Sequence, residues 1–337
     1  PALPVLIISV SNPVLLDIKE FIQAKAEEEK NARKAYEKIV KISEKYGKKY
    51  IEDMNWIDAG LIYYYSGIAR AFLMDEEYSS DFEKAMEIFE RGMESYSTSR
   101  QFSYAARCAL EAGLLTEKIR KDQKKAYDYY FKAAKFYANN YDYQESEELL
   151  RKCLNFYKEN RMEEEYKEVL KSYIETLNEA IYYYGQKKDF ETAAEMSLKL
   201  SKLYFQMKDL EKTEESLIKA IENLSEIGDE RISTYIISLV VLYLIREDLS
   251  SARECVNIYN DIVSKKIVNL CNNFIKAIET FDISLLSSVV EEVKTSIGKD
   301  ELLDVVLEGL LSKFPSILVT ISSDKDEMEV GESTYVS

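Results

Sequence analysis

Apolar residues recur at spacings of three and four along almost the whole chain, the period of a helix with one buried face. Over residues 17–46 the set Ile18, Phe21, Ile22, Ala32, Ala35, Tyr36, Ile39 and Ile42 mostly keeps that spacing and predicts a first long helix, with Gly47 as its stop. A second helix is predicted over about residues 51–74 and carries the only tryptophan, Trp56. Gly60 permits close helix contact near a bulky ring there. The run Tyr63-Tyr64-Tyr65 points around more than one face, as expected of a helix with neighbours on both sides. From Asp81 the pattern becomes phrased: Asp81-Phe82-Glu83-Lys84-Ala85, then Arg100-Gln101-Phe102-Ser103-Tyr104-Ala105-Ala106, then Asp122-Gln123-Lys124-Lys125-Ala126. Each phrase opens a helix and places a small residue where a neighbour can pack close.

The phrase returns roughly every 20 residues, with a full period near 40, the sign of a helical-hairpin repeat of the tetratricopeptide kind. Residues 122–139 continue it with Ala126, Tyr130, Ala133, Ala134 and Tyr137, and partner helices follow at about 141–160 and 162–184. Lys188-Asp189 and Lys208-Asp209 open the next two, with Glu191 and Glu211 in the first turns suiting the positive end of the helix dipole. The segment 229–246 is apolar on every side and predicts a fully covered helix. Helices at 247–255 and beyond, about 267–281, 283–297 and 300–314 complete the series, with Gly298 and Pro315 as breaks. The expected fold is all-α: an α-solenoid of antiparallel helix pairs in a curved right-handed array over residues 17–314, with a helical cap from about residue 267. Residues 1–16 form a separate apolar segment, and residues 315–337, rich in Ser, Asp and Glu, an acidic tail expected to be disordered.

Composition narrows the chemistry. The 337 residues are 46% apolar, enough for a continuous core, and hold only ten Gly and four Pro. A formal charge of -16 with a pI near 4.8 argues against nucleic acid. Histidine is absent, which removes the commonest general base and transition-metal ligand. Cys108, Cys153, Cys255 and Cys271 form no Cys-x-x-Cys pair and are expected to be buried reduced thiols. No cofactor, metal or small-molecule substrate is indicated. No run reaches the roughly 20 apolar residues that cross a bilayer, so a soluble, cytoplasmic protein is expected. The stretch Val5-Leu6-Ile7-Ile8-Ser9-Val10 could form a short strand; it either packs on the first helices or touches a membrane or partner.

Several stretches resemble the soluble NSF attachment proteins, adaptors of membrane-fusion recycling. The similarity runs without a gap from Asp81 through Tyr96, takes in Phe102, Ala105 and Ala106, and continues through Asp122, Lys125, Ala126, Tyr130, Ala134 and Tyr137. Arg246, Asp248, Ala252, Arg253, Cys255 and Val256 look most like the gamma branch. The resemblance implies a non-catalytic adaptor, peripheral to a membrane, whose concave face holds a coiled-coil SNARE bundle and whose C-terminal helix recruits a hexameric AAA+ ATPase. Arg107 falls where the family has a basic residue facing the bundle; Gln101 replaces another, with Arg100 beside it, and Glu148 stands at a third, with Lys152 one turn later. Arg100, Arg107 and Lys152 are therefore the client-binding candidates, with a solvated helix face as the plain alternative. Asp300, Leu302, Leu303 and Leu307 resemble the family's last helix and are the ATPase-docking candidates, with core packing as the alternative for the leucines. Beyond Pro315 the family's acidic terminus with a near-terminal Leu has only a loose echo in Asp326, Glu327, Met328, Glu329 and Val330. The family's apolar membrane loop is replaced by the polar Tyr46-Gly47-Lys48-Lys49-Tyr50, so Val5, Leu6, Ile7 and Ile8 are the membrane-contact candidates. Two rival readings stand beside this one. One is a general tetratricopeptide scaffold gripping a peptide or protein terminus in its groove. The other is a helical enzyme using the carboxylates of Asp209, Glu211 or Glu247, which no His, phosphate loop or metal-spaced cluster supports.

Overall fold

A computed structural model describes residues 32–313, and the described residues hold fourteen α-helices, one π-helical turn and no strand. The segment 1–16, the first part of the helix expected from residue 17, and the tail 315–337 lie outside the described residues. In chain order the helices are α1 (Ala32–Glu52), α2 (Trp56–Leu73), α3 (Tyr78–Thr98), α4 (Phe102–Leu115), α5 (Gln123–Asn139), α6 (Tyr143–Glu159) and α7 (Glu163–Lys187). They continue as α8 (Phe190–Gln206), α9 (Leu210–Ile227), α10 (Ile232–Ile245), α11 (Leu249–Tyr259), α12 (Lys265–Glu279), α13 (Ile283–Ile297) and α14 (Glu301–Ser312). The π-helical turn, Thr116–Arg120, extends α4.

One turn design joins most of these helices. A residue in the left-handed region ends one helix, and the next residue caps its successor: Lys121 before Asp122, Lys188 before Asp189, Lys208 before Asp209, Glu247 before Asp248, Phe281 before Asp282. The left-handed residue lets the last carbonyls find partners, as where Lys188 N–H reaches Gly185 O at 3.1 Å and Asp189 N–H reaches Tyr184 O at 2.9 Å. The aspartate oxygen then accepts a free amide of the following turn, at 3.0 Å from Lys125 N for Asp122 and 2.9 Å from Ser251 N for Asp248. With so little chain in each connection, most consecutive helices fold back and pack side by side.

Gly47 does not stop α1, which runs on to Glu52. Its place is set by packing: a Cβ there would meet the Tyr63 ring of α2 at 2.8 Å. Gly60 admits the Phe89 ring of α3 in the same way, since a Cβ there would collide with that ring. All three residues of the tyrosine run are buried, at 6%, 2% and 6% exposure for Tyr63, Tyr64 and Tyr65. Asp81 sits in the first turn of α3, which begins at Tyr78, and its carboxylate takes Arg70 Nε at 3.0 Å. Arg70 also reaches Glu44 at 3.1 Å and Asp75 at 2.5 Å, tying α1, α2 and α3 through one guanidinium.

The described chain forms two compact units that divide within α7, between Thr176 and Leu177. The core of the first unit is built from α1 to α5 around Tyr64, Phe89, Ala109 and Tyr129. That of the second gathers on α10, buried along its length and packed against α9, α11, α12 and α14, as its all-round apolarity predicts. Ala105, Ala126, Ala193 and Ala252, the small residues of the repeat phrase, are all fully buried.

Candidate interaction sites

The three basic candidates occupy three different settings in the first unit. Arg100 is the left-handed turn residue between α3 and α4, with its side chain exposed. Lys152 lies on an exposed face of α6 with its ammonium 4.0 Å from the Tyr130 ring centre and 5.3 Å from that of Tyr127. Tyr127 in turn stacks on Phe156 at 3.8 Å, so Lys152 rests on an aromatic shelf joining α5 to α6. Arg107 is half-buried in α4 and acts inward. Its charge bears on Glu111, on Tyr65 from α2 and on Tyr137 from α5.

Glu111 is a group the sequence reading missed. It is 1% exposed, its Oε1 is buried without a hydrogen-bond partner, and burial lifts its carboxyl to about 8 against the counter-pull of Arg107. Periodicity alone could not find it, because its position on α4 reads as one more polar residue in a mixed helix. A second feature it missed is a set of tyrosine hydroxyls donating to carboxylates on neighbouring elements. Tyr157 donates to Asp128 at 2.9 Å, Tyr173 to Glu147 at 2.8 Å, Tyr243 to Glu214 at 2.7 Å, and Tyr129 to Glu90. In each, burial and the facing carboxylate push the phenol up.

The C-terminal candidates are inside the second unit. Asp300 is the N-cap of α14, accepting from Leu302 N at 3.0 Å and Leu303 N at 2.9 Å, and it also accepts the Tyr235 hydroxyl of α10 at 3.0 Å. Leu302, Leu303 and Leu307 are 4%, 1% and 1% exposed and belong to the core around α10. Core packing, the alternative weighed for these leucines, accounts for them: α10 is apolar all round and takes that face as its cover. What α14 leaves outward is acidic, with Glu301 and Glu308 exposed and Asp304 half-buried. Lys202 of α8 pairs with Glu301 at 2.5 Å and Lys313 with Glu247 at 2.9 Å, holding both ends of the helix.

The profile of a family described as soluble NSF attachment protein, SNAP, matches residues 67–302, well over half the chain. The chain belongs to the SNAP family. The SNAP match begins inside α2 and ends inside α14, so it takes in helices of both units. No curated protein matches the chain. Among solved structures it is similar to BtubC (BKLC) from P. vanneervenii, at 15% identity over 68% of this chain and 91% of that one, with a TM-score of 0.31. A circular tandem repeat protein is similar at 13% identity over 93% and 84%, with a TM-score of 0.39, and the apo form of RapI at 13% over 90% and 86%, with 0.34.

The remaining candidates of this SNAP-family chain fall as follows. Val5, Leu6, Ile7 and Ile8 lie outside the described residues. Asp209 caps α9 and pairs with Lys212 at 3.1 Å, interactions that hold its carboxyl below the ordinary range; Glu211 follows in the first turn of that helix, and Glu247 is the left-handed turn residue that meets Lys313. All four cysteines are free and buried. No helix among the described residues is long and apolar enough to cross a membrane.

Proposed function

We propose that this chain is a non-catalytic cytoplasmic adaptor that carries a SNARE-like helical bundle to a hexameric AAA+ ATPase. The observation that carries the reading is the SNAP-family match across residues 67–302, from the second described helix to the last. In this reading Arg100 and Lys152 are exposed cations available to an acidic bundle, with the charge of Arg107 behind them opposing, without overcoming, the burial that lifts the Glu111 carboxyl. The ATPase is met by the outward acidic edge of α14, Asp304 and Glu308, while Leu302, Leu303 and Leu307 fix that edge in place. Charge pairing of this kind steers association and weakens with salt.

The test is reconstitution from purified components: the chain, a SNARE four-helix bundle and the ATPase. Arg100→Glu with Lys152→Glu is expected to lose the bundle and keep the ATPase; Asp304→Lys with Glu308→Lys is expected to do the reverse. Deleting α14 is the wrong perturbation, since it uncovers α10. A chain that binds neither partner, yet captures a peptide or protein terminus, returns the reading to a general tetratricopeptide scaffold.

A further inference from the structure

The turn between α4 and α5 departs from the charge of the rest of the protein. Residues 116–135 carry seven cations, Lys118, Arg120, Lys121, Lys124, Lys125, Lys132 and Lys135, against three acids, in a chain of formal charge -16. Each acid is engaged within the fold. Glu117 accepts the Tyr130 hydroxyl at 2.6 Å, Asp122 accepts Lys125 N at 3.0 Å as the cap of α5, and Asp128 accepts the Tyr157 hydroxyl at 2.9 Å. Lys124 and Lys135 pair with Glu165 and Glu168 of α7, at 2.6 and 3.1 Å. That leaves Lys118, Arg120, Lys121, Lys125 and Lys132 exposed, with no carboxylate paired to them among the described residues.

These five belong to one place. Lys125 and Lys132 both lie over the Tyr129 ring, at 5.9 and 5.3 Å, and the charge of Arg120 bears on the same phenol. Lys118 and Lys121 flank Arg120 on the π-helical turn and the residue that follows it. Ile119, half-buried against the first unit's core, anchors the turn that carries the cations. We propose that this turn is a docking surface for an anionic lipid membrane. Four of the five groups are lysines, compact and strongly hydrated charges suited to a diffuse field of headgroups, whereas bidentate capture of a carboxylate or phosphate on a peptide calls for arginine. Repulsion from the acidic remainder of the chain is confined by screening to about 8 Å at physiological salt.

The surface needs neither a SNARE bundle nor an ATPase, so its test is independent of the adaptor reading. The full chain is floated with phosphatidylcholine vesicles, with and without phosphatidylserine. Binding is expected only with phosphatidylserine, and is expected to vanish as salt rises from about 0.05 M to about 0.5 M. Each cation near such a surface is worth about fivefold in partitioning. Lys118→Gln, Arg120→Gln, Lys121→Gln and Lys125→Gln together should therefore lower it by more than about a hundredfold. Circular dichroism of the variant should match that of the parent. The control replaces Lys34, Lys41, Lys45 and Lys48 of α1 with Gln, and is expected to bind as the parent does. Equal losses in the two variants, or binding to phosphatidylserine that survives the first, overturn the assignment. So does capture of poly-glutamate in place of the vesicles, which would make the turn an acidic-peptide site.

Discussion

Replacing Glu111 by glutamine should change how the stability of the protein depends on pH more than it changes the fold. Glu111 is ordinarily a group near 4.5 and stands at about 8 in the folded chain, because its surroundings exclude water. The groups facing it are Tyr64 and Tyr65 of α2, Arg107 and Cys108 of α4, and Tyr137 of α5. Arg107 alone among them is a cation, and its attraction falls short of the cost of burial. An acid raised on folding lends its stability fully below about pH 4.5 and loses it as pH climbs to about 8, since the unfolded chain ionises first. At about 1.4 kcal/mol per tenfold change in proton affinity, the ceiling on that loss is about 5 kcal/mol. The assay is urea unfolding of parent and Glu111→Gln at several values between about pH 5 and about pH 9. Comparing the two proteins cancels every other titrating group. The variant is expected to gain on the parent steadily toward pH 8 and to hold its advantage beyond. A difference in unfolding free energy that stays constant across the range would refute the reasoning, and would mean that the carboxylate is ionised and well paired inside the fold.

Other expectations concern packing, thiols and the last helix. Enlarging Ala105, Ala126, Ala193 or Ala252 to Leu should cost roughly 1 to 3 kcal/mol each by overpacking, and four unchanged melting temperatures would contradict the helix contacts described. Gly60→Ala should destabilise by forcing a methyl against Phe89, with partial recovery when Phe89→Leu is added; no recovery would place the strain elsewhere. Burial raises Cys153, Cys255 and Cys271 to about 12 and Cys108 further still, so a thiol reagent at neutral pH should react with none of the four until denaturant is present, and fast labelling of the native protein would contradict this. Tyr235→Phe removes the hydroxyl held by Asp300 and should cost about 1 to 2 kcal/mol, with faster amide exchange at the start of α14 as its local signature; unchanged exchange would make that bond incidental.

Much of the architecture was legible because helical period and repeat phrase agree. The small residues of the phrase mark true contacts, and the all-apolar segment 229–246 is covered as its composition demands. Gly47 misled because a glycine can serve a close approach as well as a stop, and only the position of the Tyr63 ring decides between them. The leucines of α14 left two readings open for a related reason. An apolar stripe looks the same whether it meets a partner or its own chain, and the element that covers it, α10, lies far away in sequence. Glu111 and the tyrosine-carboxylate bonds were invisible, since which polar residues turn inward depends on helix pairings that spacing does not specify. The basic turn was in plain view as a run of lysines. What the structure adds is which of its charges are already paired.

The covering of α10 by α14 has a consequence for synthesis. On the ribosome, Ile232–Ile245 leaves the exit tunnel well before Glu301–Ser312 has been translated. Through that interval the strip of α10 destined for Leu302, Leu303 and Leu307 has no cover from its own chain. The nascent second unit should therefore be a chaperone client, and it should leave its chaperone only when α14 emerges. A premature stop anywhere between α11 and α14 would release a chain that quality control recognises through α10.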